Sequence, residues 1–415
     1  MDWLVNLLSR MCLGFLAVTL GMPVARAAVP LLPVCSWPFE STGQGITNVA
    51  TPDANATYWV MPIDTSLWSA MIIQGTYPAA RFFNFSTYNA SGSLIDTAYD
   101  SHIAPDPGST NPFATTPAAG SHTYTVTVGT GSSRSSTLLS TGGSRLVFVV
   151  IRVYLPDQGL DRTGGVGLPA VSLISPSGTV RKLRPCPFAN AEISLGSMIT
   201  LLVASGFNDA ANFLQNIQTA SNQRSVMTGN CNPGQPAPAP VNFGPAPGQN
   251  FFPNPQTSYL QTPSFCFRTG KILVVRGKAL VFPDTYPGGS VFQPAFDGQI
   301  QVRYWSMCNN DNVIPYPVIG CEADFATKLD QNLSYTYVVS DDPAPPAWLP
   351  ADATWLPWGA TSIPQSLIFR NILLESSPLA GDYYPTGVFC DQAVFVAQGW
   401  QGCFTAAGIA VATMP

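Results

Sequence analysis

The sequence predicts an all-β protein: two tandem β-sandwich (jelly-roll-like) domains with one short helix and a Pro-rich linker. Three observations carry that prediction. Runs of β-branched and aromatic residues recur along the chain, cut by Gly, Pro, Asn and Asp; examples lie at 124–128, 146–154, 271–275 and 335–339. Only 10% of the 415 residues are charged and 46% are hydrophobic, with 39 Pro and 35 Gly. That balance supplies a large core, excludes disorder, and lacks the Lys and Glu that coiled coils and helical bundles use. Both halves also carry the same short signals in the same order. Arg81-Phe-Phe-Asn84, Tyr124-Thr-Val126 and Val150-Ile-Arg-Val153 come first. Arg303-Tyr-Trp-Ser306, Tyr335-Thr-Tyr337 and Ile368-Phe-Arg-Asn371 follow, and the first-to-last Arg spacing is 71 residues in one half and 67 in the other.

Residues 1–27 read as a secretory signal peptide. Arg10 gives a basic start, residues 11–24 form an uncharged apolar run, and Ala25-Arg26-Ala27 is a small-x-small cleavage pattern. The run is too short for a bilayer span, which takes about 20 residues. No later stretch is long and apolar enough to serve as one, so the expected location is secreted or periplasmic. Without the leader the chain has 16 basic and 22 acidic residues, a net charge of −6 that argues against nucleic acid as a partner. The first sandwich is expected over 28–207. Segment 209–224 is the helix candidate, with Ala211, Phe213, Leu214 and Ile217 apolar. The stretch 232–256 holds eight Pro and reads as a linker or long surface loop. Helix and linker together fill 208–258, and the second sandwich is expected over 259–415.

Cys12 leaves with the leader, and eight cysteines remain. An even count in an exported chain predicts disulfides. A metal centre is disfavoured because no C-x-x-C occurs and His numbers only two. Eight cysteines allow 105 pairings, so the connectivity stays open; short loops close most readily, which favours Cys308 with Cys321 and Cys390 with Cys403. Cys231 with Cys266 would staple the Pro-rich excursion. Cys35 with Cys186 would tie the start of the first half to its end.

Arg303-Tyr-Trp-Ser306, the strand ending Tyr335-Thr-Tyr-Val-Val339, Thr354-Trp-Leu-Pro357 and Leu367-Ile-Phe-Arg370 stand in an order that resembles a bacterial family. It is the domain-of-unknown-function family numbered twelve-fourteen. The resemblance covers roughly 301–374 and extends more faintly over 81–169. It implies β-rich domains in exported or cell-envelope proteins and brings no catalytic residues with it.

Chemistry has few candidates in so uncharged a chain. There is no G-x-S-x-G, and only His102 and His122 could act as a base. Ser101-His102 reads as an exposed loop. The Asp/Asn stretches at 309–312, at Asp157 with Asp161, and at Asp341-Asp342 read as turns rather than calcium loops. Glu322 and Asp324, two apart on a strand, are the acid pair that a glycoside hydrolase would use. Trp348, Trp355 and Trp358 could form a platform for a glycan or apolar ligand, or pack inside the sandwich. Arg81, Arg152, Arg303 and Arg370 each lie in an apolar run. Each should meet a carboxylate or reach water at a strand end; the expectation is one Arg–Asp pair within each half, and the alternative is a cationic pocket for a small anion. No cofactor is expected. The function these features favour is a non-enzymatic structural or ligand-binding module of the cell envelope or extracellular space. The alternative is a carboxylate-dependent hydrolase acting on polysaccharide or another polymer.

Overall fold

Alternating strands pair into four five-stranded sheets in the computed structural model. The structure describes residues 33–411 except 34, 45–46, 117–118, 132–136, 187–195, 197–198, 201, 205, 224–230, 232–239, 247–251, 290–299 and 375–378. The expected signal peptide lies outside the described residues.

The first half supplies ten strands. They are β1 (Phe39–Ser41), β2 (Ala56–Asp64), β3 (Ala70–Thr76), β4 (Ala80–Tyr88), β5 (Leu94–Tyr99), β6 (Thr123–Gly129), β7 (Leu138–Ser140), β8 (Leu146–Pro156), β9 (Ala170–Ile174) and β10 (Val180–Lys182). They form sheet one, β1-β2-β8-β4-β5, and sheet two, β10-β9-β3-β6-β7. Met61, Phe83 and Val149 of sheet one share a core with Ile73, Val126 and Leu173 of sheet two. Each such side chain contributes about 1.5–3 kcal/mol by leaving water.

The second half repeats the plan. Its strands are β11 (Val241–Asn242), β12 (Gly244–Pro245), β13 (Thr257–Gln261), β14 (Lys271–Lys278), β15 (Tyr304–Asp311), β16 (Val318–Ala323), β17 (Ser334–Ser340), β18 (Ala353–Pro357), β19 (Gln365–Ile372) and β20 (Thr386–Asp391). Sheet three is β11-β20-β14-β17-β18 and sheet four is β12-β13-β19-β15-β16. Leu273, Val275 and Tyr337 of sheet three share a core with Trp305, Met307 and Phe369 of sheet four.

Sheets one and four correspond strand for strand, and sheets two and three do so apart from the chain position of their outer strand. The two parallel pairs, β6 with β7 and β17 with β18, fall at equivalent places. The Trp-Leu-Pro strand β18 thus has a counterpart in the three-residue β7, which reads Leu-Leu-Ser instead. A close backbone approach repeats as well. Tyr124 lies opposite Gly75 and Tyr335 opposite Gly277. A Cβ on either glycine would collide with the facing phenol. Even left-handed backbone recurs, at Leu155 (φ 47°) beside the end of β8 and Leu373 (φ 52°) after β19.

The helix candidate becomes α1 (Asn208–Gln223), whose Ala211 and Leu214 pack with Phe148 and Val150 on the outer face of sheet one. The Pro-rich segment, expected to be linker only, also contributes β11 and β12. Both are two-residue edge strands, where a missing proline N–H interrupts no central ladder. A second helix, α2 (Gln392–Ala406), covers the outer face of sheet three through Phe395 and Phe404. All four expected disulfides are present: Cys35–Cys186, Cys231–Cys266, Cys308–Cys321 and Cys390–Cys403. Among the described residues no helix is long and apolar enough to cross a membrane.

The halves meet face to face. Phe82 and Tyr154 of sheet one pack with Tyr304 and Ile372 of sheet four in a fifth apolar cluster. That seam holds the candidate site.

Candidate functional site

An arginine inside a strand must find an acceptor, because burying its charge unpaired costs several kcal/mol. Arg81 is fully buried. Its Nη1 donates to Asp324 Oδ2 at 2.9 Å and its Nε to Thr285 Oγ1 at 2.7 Å. Arg303, just before β15, donates from Nη1 to Asp100 Oδ2 at 3.1 Å. The expectation of one Arg–Asp pair inside each half is therefore corrected: the partners are exchanged across the seam. The reason is local. Asp100 and Asp324 each open a 3₁₀ turn, Asp100–His102 after β5 and Asp324–Ala326 after β16. These turns aim each carboxylate at the opposite half.

Arg152 and Arg370 occupy matching places. Arg152 lies between Tyr58 and Asn84 on neighbouring strands, and Arg370 between Tyr259 and Ser306. Arg370 Nη2 donates to Thr51 O at 2.8 Å, and Arg152 Nη2 to Phe252 O at 2.9 Å. Thr51 and Phe252 both have left-handed backbone and both begin an X-Pro-Asx triplet, Thr51-Pro-Asp53 and Phe252-Pro-Asn254. The first Oδ1 of each Asx accepts the amide two residues on: Asn55 N to Asp53 at 2.9 Å, Gln256 N to Asn254 at 3.3 Å.

There the two places diverge. Asp53 Oδ2 accepts from Arg370 Nη1 at 3.1 Å, Tyr304 Oη at 2.9 Å and Ser306 Oγ at 2.7 Å. Arg370 is neutralised. At the other place Asn254 stands where a carboxylate would be. Arg152 is 2% exposed and, among the described residues, bonds neutral groups: Ser86 Oγ at 3.2 Å, Tyr88 Oη at 2.7 Å and the Phe252 carbonyl. Its cation also lies over the Tyr58 and Tyr88 rings.

Beside these groups the seam encloses a cavity of about 110 Å³. Its walls include Tyr58, Tyr154, Tyr259, Phe252, Val150 and Leu214. Arg152, Arg370 and Asn254 also line it, and among the described residues no Asp or Glu does. Arg370 Nε and Asn254 Nδ2 are buried donors with no hydrogen-bond partner. Burial pushes the phenols of Tyr58 and Tyr154 up, so both stay neutral. The wall is apolar, and its polar surplus is all donors.

The other sequence candidates fall elsewhere. Asp324, pushed up to about 6 by burial, is held by Arg81 and the Trp305 amide. Glu322 is half-buried in β16, its carboxyl raised by burial. Asp324 lies beyond the strand end in its turn, so the expected same-face acid pair does not form. Trp358 is fully buried against Phe265 and Phe267. Trp348 packs on Phe395 of α2, and Trp355 Nε1 donates to Ser340 Oγ at 2.9 Å. The three rings form no shared platform. Segment 309–312, expected as a turn, is largely the buried end of β15. Ser101 Oγ is 3.3 Å from His102 Nδ1, but Asp100 faces Arg303 instead of completing a triad. Sequence reasoning singled out Arg152 and Arg370 but missed Asp53, Asn254 and the three tyrosines. The repeated X-Pro-Asx triplet was the signal that could have found the first two.

No family model and no curated protein matches the chain. Among solved structures it is similar to an uncharacterised protein from Burkholderia cenocepacia, with TM-score 0.53 and 10% identity over 87% of this chain and 84% of that one. A Vibrio parahaemolyticus protein aligns at TM-score 0.41 and 13% identity, over 81% of this chain and 89% of that one. The first likeness shows a shared fold.

Proposed function

We propose that this is an exported, disulfide-stabilised binding protein of the cell envelope or extracellular space, taking a small anionic ligand into the seam cavity. The observation that carries this is Arg152. A buried guanidinium with only neutral partners, beside a cavity lined by arginines and no acid, is matched by an anion. The aromatic and aliphatic wall would bury the ligand's apolar body. Four disulfides fit a location outside the cytoplasm. A hydrolytic role loses its acid pair, since Asp324 is engaged by Arg81.

Thermal shift of the purified protein against small anions and neutral glycans tests the reading. A ligand at a hundred times its Kd adds about 2.7 kcal/mol to native stability. Anions are expected to raise the Tm of the native protein and to lose that effect in Arg152→Gln. Stabilisation by neutral glycans alone, or by nothing in the panel, would reject it.

A further inference from the structure

We infer that the anionic group recognised at Arg152 is a carboxylate, and that the chain displays its own copy of that interaction at Arg370. This rests on the proposed binding at the seam and names its ligand class. The Asp53 carboxylate is an internal occupant of one of two equivalent arginine places. Its Oδ1 is tied to the backbone amide of Asn55, and its Oδ2 receives Arg370, Tyr304 and Ser306. At the equivalent place Asn254 keeps the backbone tie through Oδ1, which also accepts from Asn84 Nδ2 at 3.0 Å. Its other atom is Nδ2, a donor, and it has no partner. Replacing one carboxylate oxygen by an amide nitrogen removes the acceptor and leaves an uncompensated guanidinium charge and an unpartnered N–H at this place. A ligand carboxylate supplies that oxygen. Arg370, whose Nε is a second buried donor without a hydrogen-bond partner among the described residues, also lines the cavity. Engineered cavities of about 150 Å³ admit benzene. A cavity of about 110 Å³ is smaller than that and so takes a short-chain monocarboxylate.

The inference makes Asn254 the residue that keeps the place open. Asn254→Asp would fill it from within, as Asp53 fills the other. Native protein, Asn254→Asp, Asn254→Ala and Arg152→Gln are titrated with acetate, butyrate, methanesulfonate and inorganic phosphate, read by thermal shift and calorimetry. The carboxylates are expected to raise the native Tm, with phosphate and methanesulfonate at least tenfold weaker. Asn254→Asp is expected to melt at least about 2 °C higher without ligand and to bind butyrate at least a hundredfold more weakly. Asn254→Ala loses one donor and keeps the site, so butyrate weakens about fivefold, the worth of roughly one hydrogen bond. Arg152→Gln is expected to abolish the carboxylate response, which keeps the inference testable if Asn254→Asp fails to fold. Native-like butyrate binding by Asn254→Asp overturns the inference, as does preference for phosphate, and either leaves anion binding at the seam standing. No response of the native protein to any anion overturns both.

Discussion

At the scale of residues, the four strand arginines differ in what stands opposite them, and that sets what each loss costs. Arg81 is paired with Asp324, which is itself fully buried, so Arg81→Met strands a carboxylate in the seam. Removing one member of such a pair costs about 3–5 kcal/mol. Arg152→Met strands no acid, and only the hydroxyls of Ser86 and Tyr88 and one carbonyl lose a partner. Urea melts are expected to place Arg81→Met at least 2 kcal/mol below Arg152→Met, the gap between those two cases. Equal losses would mean that Arg152 has a charge partner after all. The arginines themselves were legible in the sequence, because a charge in an apolar run is conspicuous. Their partners were not. Asp324 is 243 residues from Arg81 and Asp53 is 317 from Arg370. Spacing along a chain says nothing about groups brought together by docking one sheet on another.

Among elements, the disulfides separate by the loops they close. Cys35–Cys186 spans 151 residues and ties the strand bridge at Ser36 to Pro185, at the two ends of the first half. Cys390–Cys403 spans 13 and holds α2 against β20. On the chain-entropy account the long loop is worth about 5 kcal/mol and the short one about 3. Paired Cys→Ser variants of the two bridges are expected to lose stability in that order in denaturant melts. The reverse order would assign the effect to native packing around α2 instead of to loop closure. Cysteine parity pointed to disulfides but left 105 pairings open for eight cysteines, and only the two 13-residue loops were favoured by spacing. Helix α2 was not legible in the sequence. Its sequence carries Gly399 and Gly402 and β-branched Val394 and Val396, which propensity counts against a helix. It bends at Gly399 (φ 65°), and its burial against sheet three and its disulfide hold it.

For the whole molecule, the carboxyls set a pH profile. Burial holds Asp100 and Glu322 above their ordinary range and pushes Asp157 and Asp324 up to about 6. Between about pH 4 and 6 the unfolded chain has released the Asp157 and Asp324 protons while the native chain keeps them, so stability falls as pH rises through that window. Other carboxyls act in the opposite sense. The Thr163 hydroxyl holds Asp161 below its ordinary value. Burial opposes the same effect at Asp64 and Asp330, but hydrogen bonds from Arg145 and Arg276 prevail and hold both low. Their stabilisation is present above about pH 4 and is lost as pH falls through their lowered values. Circular-dichroism melts are expected to give a higher Tm at pH 5 than at pH 7.5, with a decline below pH 4. A Tm that climbs steadily from pH 5 to 7.5 would contradict the raised values, and Asp157→Asn should flatten the slope.

The sequence by itself determined the class of this protein and its repeated plan. Strand periodicity, punctuation by Pro and Gly, cysteine parity and the recurring arginine signals are local or countable, and physical chemistry acts on them without knowing the fold. It also marked Arg152 as a charge in need of a partner. Only the tertiary structure decided which carboxylates meet which arginines, that Trp358 is core, and that one of two equivalent arginine places lacks an acid. Those outcomes depend on how two sandwiches dock. A single Asp-to-Asn difference, at Asp53 and Asn254, leaves Arg370 paired with a carboxylate and Arg152 bonded to neutral groups.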